Sequence, residues 1–259
     1  MSLFLKKFET ISQYNAYTAD TENFILPNVS LTVDNNTVHY NPYVDPCASE
    51  KVKTTYEWVE IGGVKWATKN VGAKTITDFG QKFSWGGVNG YTNEQITGTC
   101  KSHKFSWTNY EHGNGTSSPS DTGMTKYNAT DGKTVLDAED DAATVNMGSG
   151  WRMPTKAEFQ ALGTATTTAW TADYEGSGVA GLVLTSKADS NVKLFFPAAG
   201  DCRNGNVDYV GERGNYWSRS LYTSNIQFAY NMYLRSSNVD WYYSDSRRYY
   251  GCSVRGVVG

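Results

Sequence analysis

Apolar and polar residues alternate over short stretches along most of the chain, and this pattern predicts more strands than helices. The segments YEWVEIGG (56–63) and VKWATKNVG (64–72) predict two strands that pair around Gly62 and Gly63. Buried strands are predicted at 178–186 and 192–200. Further strands are predicted in the last fifth of the chain, at 215–221, 227–234, 239–243 and 251–258.

Helical periodicity is limited to three places. Residues 1–20 carry Leu5, Phe8 and Ile11 at near-helical spacing, and 76–87 predicts a short helix. The clearest signal is PTKAEFQALGT (154–164), in which Thr155 and Glu158 have the spacing of a capping box. Residues 86–134 are rich in Gly, Thr, Ser and Asn and predict long loops.

These elements suggest two parts joined by a linker. Residues 1–45 hold the predicted helix and a β-hairpin within 28–42, and we expect them to serve attachment or oligomerisation. Residues 46–55 are the predicted linker, and 56–259 the main domain. In these predictions strands outnumber helices, and loops outnumber both.

Composition and charge exclude several classes of protein. With 39% apolar and 19% charged residues the chain is typical of globular proteins. A net charge of −3 argues against a nucleic-acid partner, since phosphate binding normally requires a basic excess. No apolar run is long enough for a transmembrane helix, so we expect no membrane insertion. The start, MSLFLKKFET, lacks the features of a signal peptide.

The stretch 201–250 has the composition of a recognition surface. It holds 9 of the 18 tyrosines, with 6 Asn, 7 Ser, 6 Arg and no Lys. Tyrosine gives a large and stiff contact area, arginine gives planar charged hydrogen bonding, and small polar residues adapt around them. An ordinary half-exposed sheet whose tyrosines merely cover the core is the alternative.

Strict alternation in 227–236 would put Phe228, Tyr230, Met232 and Leu234 on a core face. The opposite face, together with the following hairpin, would then form one exposed patch. Trp66, Trp151, Phe195 and Trp217 are expected in the core. Arg248, Tyr250 and Arg255 are expected to be structural, Arg255 as a buried partner of a carboxylate or carbonyl. The predicted ligand-binding residues are Arg219, Tyr222, Asn231, Tyr233, Arg235, Asn238, Asp240, Tyr242, Tyr243, Ser244, Asp245, Arg247 and Tyr249.

Signals for metal or catalytic chemistry are weak. Asp137, Glu139, Asp140 and Asp141 form an acidic cluster whose oxygens suit calcium, but their spacing does not match an EF-hand and a solvated turn explains them equally. No catalytic motif is recognisable, and we expect no enzymatic activity and no cofactor. Cys202 and Cys252 could form a disulfide that closes the terminal stretch, or both could be unpaired.

Six ordered motifs carry a family resemblance over residues 56–259. They are WATKNVGA (66–73), FSWGG (83–87), the segment 136–162, LFFPAAG (194–200), NYWSRS (215–220) and GCSVRGV (251–257). They resemble the Fibrobacter succinogenes major paralogous domain, which is similar to the formylglycine-generating-enzyme branch of the C-type lectin fold. The resemblance implies a compact α+β domain of C-type lectin-like fold, with two helices, short antiparallel sheets and extensive ordered loops. Formylglycine-generating enzymes use paired cysteines near the chain end, a pattern that Cys202 and Cys252 do not match convincingly.

A narrower resemblance bears on function. Lectin-fold domains that end in a Tyr-, Asn-, Ser-, Asp- and Arg-rich run before GxSVRxV look like the variable proteins of diversity-generating retroelements. In such systems adenine mutagenesis of AAC-type codons yields these residues but never Lys, Glu, Gln, Met or Trp. The implied variable region is about 201–252, where Glu212, Trp217, Gln227, Met232 and Trp241 would be constant scaffold.

The opening segment resembles leader segments of structural proteins from phages of gut Bacteroidales. Together these resemblances imply a phage tail receptor-binding protein with a diversified surface. Its expected partners are a protein or glycan receptor on a bacterium, other virion proteins through the N-terminal segment, and copies of itself, most simply in a trimer. Its expected location is the virion. A surface adhesin or carbohydrate-binding module without diversification is the alternative, and a formylglycine-generating-type enzyme is the third.

Overall fold

The computed structural model describes residues 29–34, 37–42, 55–98, 104–117 and 123–259. The chain divides into two compact units, residues 1–48 and 49–259. Within the described residues strands predominate over three α-helices, which confirms the α+β prediction. The predicted helix at 1–20 and the predicted linker 46–55, apart from Thr55, lie outside the described residues.

The first unit contains a β-hairpin, as predicted. Strand β1 (Val29–Asp34) pairs antiparallel with β2 (Thr37–Pro42), in a register that sets Val29 opposite Pro42 and Asp34 opposite Thr37.

The second unit holds the remaining elements. Its helices are α1 (Asn93–Thr97), α2 (Ala142–Met147) and α3 (Lys156–Ala165), with short 3₁₀ turns at Trp107–Asn109, Ala138–Asp140 and Tyr174–Gly176. Its strands are β3 (Trp58–Ile61), β4 (Val64–Ala67), β5 (Lys82–Phe83), β6 (Trp151–Arg152), β7 (Thr166–Thr171), β8 (Gly181–Ser186), β9 (Lys193–Pro197), β10 (Ala199–Arg203), β11 (Asn206–Val210), β12 (Arg213–Leu221), β13 (Phe228–Arg235), β14 (Asn238–Arg247), β15 (Cys252–Ser253) and β16 (Val257–Val258).

These strands form three sheets. The largest has the order β11-β10-β12-β13-β14, with β15 pairing both β12 and β5. A four-stranded sheet has the order β3-β4-β16-β6, and a three-stranded one the order β7-β8-β9. Most pairs are antiparallel, but β10 and β15 run parallel to β12. The strands predicted from alternation at 178–186, 192–200, 215–221, 227–234 and 239–243 are all present.

The turn and the helix cap that were predicted from short sequence signals are both present in the structure. Gly62 and Gly63 have φ of 63° and 76° between the paired residues Ile61 and Val64, as a two-residue hairpin turn of type I′ requires. At the start of α3, the Thr155 side chain accepts from the backbone N–H of Glu158, whose carboxylate accepts from Thr155 N–H at 2.7 Å. The predicted capping box is confirmed.

The short helix predicted at 76–87 is wrong. Asp78 instead closes two tight turns, since its carboxylate accepts from the N–H groups of Lys74 and Gly80. Gly80 has a φ of +67°, outside the helical region. The following residues, Lys82 and Phe83, form a strand that pairs antiparallel with β15.

Strand β12 runs through the interior with both faces covered. Tyr216 belongs to a core cluster with Trp66, Phe159 and Leu234. The next residue, Trp217, belongs to a second cluster with Trp85. Trp66, Phe195 and Trp217 are buried as predicted, whereas Trp151 is only half-buried, against the ring of Tyr56. A central strand with two packed faces gives the large sheet a fixed base.

Two arginines near the chain end are fully buried, as predicted for Arg255. Its guanidinium donates to Asn70 Oδ1 and to the carbonyls of Ala67 and Phe195, all within 3.0 Å. Arg248 donates to the carbonyls of Lys126, Tyr127 and Ile226 and to the hydroxyl of Tyr110.

Candidate binding surface

Strands β12, β13 and β14 carry most of the predicted binding residues, but β13 does not alternate regularly. Its register with β14 shifts on both sides of Asn231, and its register with β12 shifts between Trp217 and Leu221. Such bulges interrupt the regular alternation of side chains between the two faces of the sheet. Ala229 and Asn231 are therefore fully buried, although strict alternation placed them on the exposed face.

A ladder of buried polar side chains lies beneath this part of the sheet. Asn231 Nδ2 donates to Ser246 Oγ (2.9 Å) and to Asn215 Oδ1 (3.0 Å), and Asn215 Nδ2 donates to Asp201 Oδ2 (3.0 Å). Within the described residues the second carboxylate oxygen of Asp201 accepts no hydrogen bond and lies 3.6 Å from Arg203 Nε. Burial raises the pKa of Asp201, against the opposing effect of nearby Arg203 and Lys82. The ladder joins β10, β12, β13 and β14 through side chains as well as backbone.

A pocket of about 290 Å³ opens above this ladder. Its walls come from β10 and from β12 to β14, with Tyr250 closing one end. The rings of Tyr233 and Tyr243 stack with centroids 5.1 Å apart, and the Tyr243 hydroxyl lies 3.4 Å from Asp245 Oδ2. The lining residues are Asp201, Arg203, Arg213, Asn215, Phe228, Tyr233, Tyr243, Asp245, Ser246, Arg247 and Tyr250.

The three arginines of the pocket differ in their contacts. Arg203 lies 3.4 Å from Asp208 and 3.6 Å from Asp201. Arg213 rests on the ring of Tyr209, 3.7 Å from its centroid, and Arg247 lies 5.8 Å from the centroid of Phe228. Within the part of the chain that the structure describes, the guanidinium groups of Arg213 and Arg247 form neither a hydrogen bond nor an ion pair.

A second group of aromatic residues, which we call the tyrosine patch, comprises Tyr222, Tyr230 and Tyr242. Tyr222 and Tyr230 meet edge to face with centroids 5.4 Å apart. Lys156, the first residue of α3, lies 4.0 Å above the Tyr230 ring and 5.4 Å above the Tyr242 ring. Tyr242 is half exposed, at 50% of its surface. A cation held over tyrosine faces in this way orients the rings without covering them.

The structure divides the predicted site instead of forming one patch. Tyr242 turns toward Lys156 and its neighbour Tyr243 turns into the pocket, because adjacent residues of a strand face opposite ways. Arg235 and Asn238 are exposed at the tip of the β13–β14 hairpin, and Asp240 and Ser244 are half-buried on β14. Of the predicted residues, the pocket contains Tyr233, Tyr243, Asp245 and Arg247, and the tyrosine patch contains Tyr222 and Tyr242.

Three predicted binding residues have internal roles. Asn231 is part of the buried ladder. Tyr249 is only 7% exposed and packs on Trp107 with centroids 4.8 Å apart. Arg219 is half-buried, donates to the carbonyl of Leu136 at 2.6 Å and lies 3.7 Å from the Asp141 carboxylate. The burial of Asn231 and Tyr249 argues against them as ligand contacts, whereas the role of the half-buried Arg219 in binding stays a prediction.

Several pocket residues escaped prediction. Asp201, Arg203, Arg213, Asn215, Phe228 and Ser246 lie within the compositionally unusual stretch, but only the bulges and the pairing of β10 with β12 bring them together. Tyr250, expected to be structural, also lines the pocket. The residue types of this stretch were enough to predict that it contains a binding surface. They were not enough to predict which individual residues line it.

The acidic cluster is bound by protein cations. The ammonium group of Lys126 reaches Asp137, Glu139 and Asp140, and Lys133 also pairs with Asp137. Asp141 lies apart, as the buried N-cap of α2, accepting from Ala143 and Thr144. A calcium ion at the three clustered carboxylates would have to displace Lys126, so the residues do not fit a preformed site.

Cys202 and Cys252 are both buried free thiols, so the disulfide alternative is absent. Burial raises the pKa of Cys202 to about 12 and that of Cys252 well above its usual value. Such thiols are protonated at neutral pH and are poor nucleophiles.

In the described ranges no helix combines the length and apolarity needed to cross a bilayer. Comparisons with protein-family models, with curated proteins and with solved structures gave no match for this chain. The family resemblances of the sequence motifs therefore stay predictions, and the geometry of the pocket and the tyrosine patch is the basis for a functional proposal.

Proposed function

We propose that this chain is a receptor-binding protein that recognises a bacterial surface through the pocket and the tyrosine patch. The scaffold would be a C-type lectin-like domain of the kind diversified by retroelements, carried on a phage tail. Residues 1–45 would attach it to other virion proteins and support a homo-oligomer, in which several weak sites would act together.

One observation carries the proposal: every residue that lines the pocket lies between 201 and 250, and none is Lys, Glu, Gln, Met or Trp. Those five are the residue types that adenine mutagenesis of AAC-type codons cannot produce. By contrast, Trp217 and Met232 are fully buried, and the Trp241 ring lies where a side chain at Gly163 of α3 would sit. Residue types open to mutagenesis thus line a concavity, while Trp217, Met232 and Trp241 pack the scaffold; of the other two excluded types, Glu212 is exposed and Gln227 is half-buried.

The base of the sheet supports the same proposal. A diversified surface requires a carrier whose stability does not depend on the residues that vary. Strand β12 is buried on both faces around the constant Trp217, and Arg255, beyond the implied variable region, fastens the chain end to the carbonyls of Ala67 and Phe195. Substitutions at Tyr242 or Arg247 would leave these contacts intact.

An enzyme of the formylglycine-generating type is disfavoured by the same structure. Catalysis of that kind needs an accessible and reactive cysteine, whereas Cys202 and Cys252 are both buried and have raised pKa values. An adhesin without diversification would have the same surface. Only the neighbouring DNA can therefore distinguish the adhesin from a diversified receptor-binding protein.

The genetic test is a search of the encoding DNA. We expect a second copy of the sequence for about residues 200–258, differing almost only at adenines, beside a reverse transcriptase gene. Its absence would favour the adhesin instead.

The protein test uses the labelled full-length chain against a panel of gut bacterial isolates. Tyr242→Ser should remove binding to a recognised strain, while changing the free energy of unfolding by only about 0.5 kcal/mol because the ring is half exposed. Trp58→Ser, a similarly exposed aromatic on β3 of another sheet, is the matched control and should bind normally. Equal binding by both variants would exclude the tyrosine patch from recognition.

A further inference from the structure

The pocket contains two arginines that form no hydrogen bond or ion pair within the described residues. Arg213 lies on the ring of Tyr209 and Arg247 lies near the ring of Phe228, and the N–H donors of both guanidinium groups are left for a ligand. Elsewhere in the fold, the arginines at 248 and 255 direct their donors to protein acceptors. A planar fork of free donors is the arrangement that binds a carboxylate with two parallel hydrogen bonds.

The same pocket also offers acceptors. Asp201 is 6% exposed, and within the described residues its Oδ1 atom accepts no hydrogen bond and has only the ion pair with Arg203 at 3.6 Å. Asp245 and Ser246 also line the pocket. A buried carboxylate oxygen gains stability when a ligand donates a hydrogen bond to it. A ligand that fills this pocket must therefore bring hydroxyl or amine donors as well as an anion.

The remaining walls are rings. Tyr233, Tyr243, Phe228 and Tyr250 line the same pocket as the arginines and carboxylates. Aromatic faces of this kind pack against the C–H face of a hydroxylated, puckered ring. The volume of about 290 Å³ is at the small end of ligand pockets and suits a single ring rather than an extended chain.

We propose that this pocket binds the carboxylate-bearing ring of an acidic saccharide, a uronate residue, at the receptor. Its carboxylate accepts two hydrogen bonds from Arg213 at one end of the pocket, its hydroxyls accept from Arg247 at the other end and donate to Asp201 and Asp245, and its ring packs on the tyrosines. This inference rests on the proposed function and names the ligand class of that site. An acidic side chain of a protein receptor would satisfy the arginines equally, but it carries no hydroxyl donors for Asp201.

The test measures binding of small probes to the full-length protein by calorimetry. The probes are methyl glucuronoside and methyl galacturonoside, with methyl glucoside as the neutral analogue and N-acetylglutamate amide as the acidic side-chain analogue. At least one uronoside should bind, and the glucoside should bind about ten- to a hundredfold more weakly, the range expected for a lost charged hydrogen bond. Absence of uronoside binding, or equal binding of the glucoside, overturns the proposal. Tighter binding of the glutamate analogue overturns it in favour of an acidic protein receptor.

Variants separate this inference from the proposed function. Arg213→Gln and Arg247→Gln should each weaken uronoside binding about tenfold or more, whereas Arg235→Gln, at the hairpin tip outside the pocket, should not. The same variants are assayed for binding to cells. If the two pocket variants bind cells normally while Tyr242→Ser does not, the saccharide proposal fails and the receptor-binding function stands. If none of the variants affects cell binding, both fail.

Discussion

At the scale of single residues, arginine has two opposite roles in this protein. Arg248 and Arg255 are fully buried, and within the described ranges neither pairs with a carboxylate; carbonyl, hydroxyl and amide oxygens satisfy their donors instead. Burial lowers the pKa of Arg255 to about 10, which still leaves it charged at neutral pH. Among the described residues, Arg213 and Arg247 have no hydrogen-bond acceptor or carboxylate for their donors at the pocket. The environment, and not the residue type, separates a structural cation from a recognition cation.

The buried arginine gives the first prediction. Arg255→Met removes donors from the carbonyls of Ala67 and Phe195 and from the Asn70 amide oxygen, which then stay buried without partners. The free energy of unfolding should fall by about 2–5 kcal/mol, measured by urea denaturation. Arg235→Met, at an exposed position, should change it by no more than about 0.5 kcal/mol. Equal stability of the two variants would show that the internal hydrogen bonds of Arg255 contribute little.

At the scale of elements, α3 and β13 differ in how their geometry is specified. The start of α3 is fixed within four residues by Thr155 and Glu158, and Glu158 is also held by Arg152 at 2.6 Å. Strand β13 has no comparable local signal. Its bulges depend on pairing with β12 and β14 and on the buried ladder through Asn231. The helix is therefore a local structure and the strand a product of its neighbours.

The cap of α3 predicts a specific pH dependence. Burial alone would raise the pKa of Glu158, but hydrogen bonds from Arg152 and from Thr155 outweigh it and hold the pKa below its usual value of 4.5. Because the folded-state pKa is the lower one, this contribution is present above about pH 4.5 and is lost as the pH falls through the folded value.

Glu158→Gln removes that titration. At pH 7 the variant should be less stable than the wild type by about 1 kcal/mol, since a partly buried charged hydrogen bond is lost. The difference should shrink as the pH falls from about 4.5 toward 3, measured by urea denaturation at each pH. A difference that stayed constant from pH 7 to pH 3 would mean that the carboxylate charge has no role in the cap.

At the scale of the whole molecule, the last strand of the second unit joins two strands that are far apart in the sequence. β16 lies between β4 and β6, so that Val257 pairs with both Trp66 and Arg152. The Val257 side chain is fully buried in the cluster that contains Trp66 and Phe159. The two residues of β16 thus join β4, almost two hundred residues earlier in the sequence, to β6 in one sheet. The binding surface within 201–250 lies just before β16 in the sequence.

Truncation tests this role of β16. Removal of residues 257–259 should lower the free energy of unfolding by about 3 kcal/mol or more, because it exposes the valine site and leaves β4 and β6 without a shared partner. Loss of Gly259 alone should have a small effect. Circular dichroism during urea denaturation gives both values. Matching transition midpoints for the two truncations would show that β16 is dispensable.

The sequence by itself determined the features that depend on a few adjacent residues: the β3–β4 turn at Gly62 and Gly63, the capping box of α3, and the existence of most strands. It also marked 201–250 as unusual through composition. Only the tertiary structure decided which of those side chains face outward. Asn231 and Tyr249 are buried, while Arg213 and Asp201 reach the pocket, because the bulges of β13, the parallel pairing of β10 with β12 and the internal polar ladder arise from contacts between distant segments. A two-residue alternation carries no information about where a long-range partner will interrupt it.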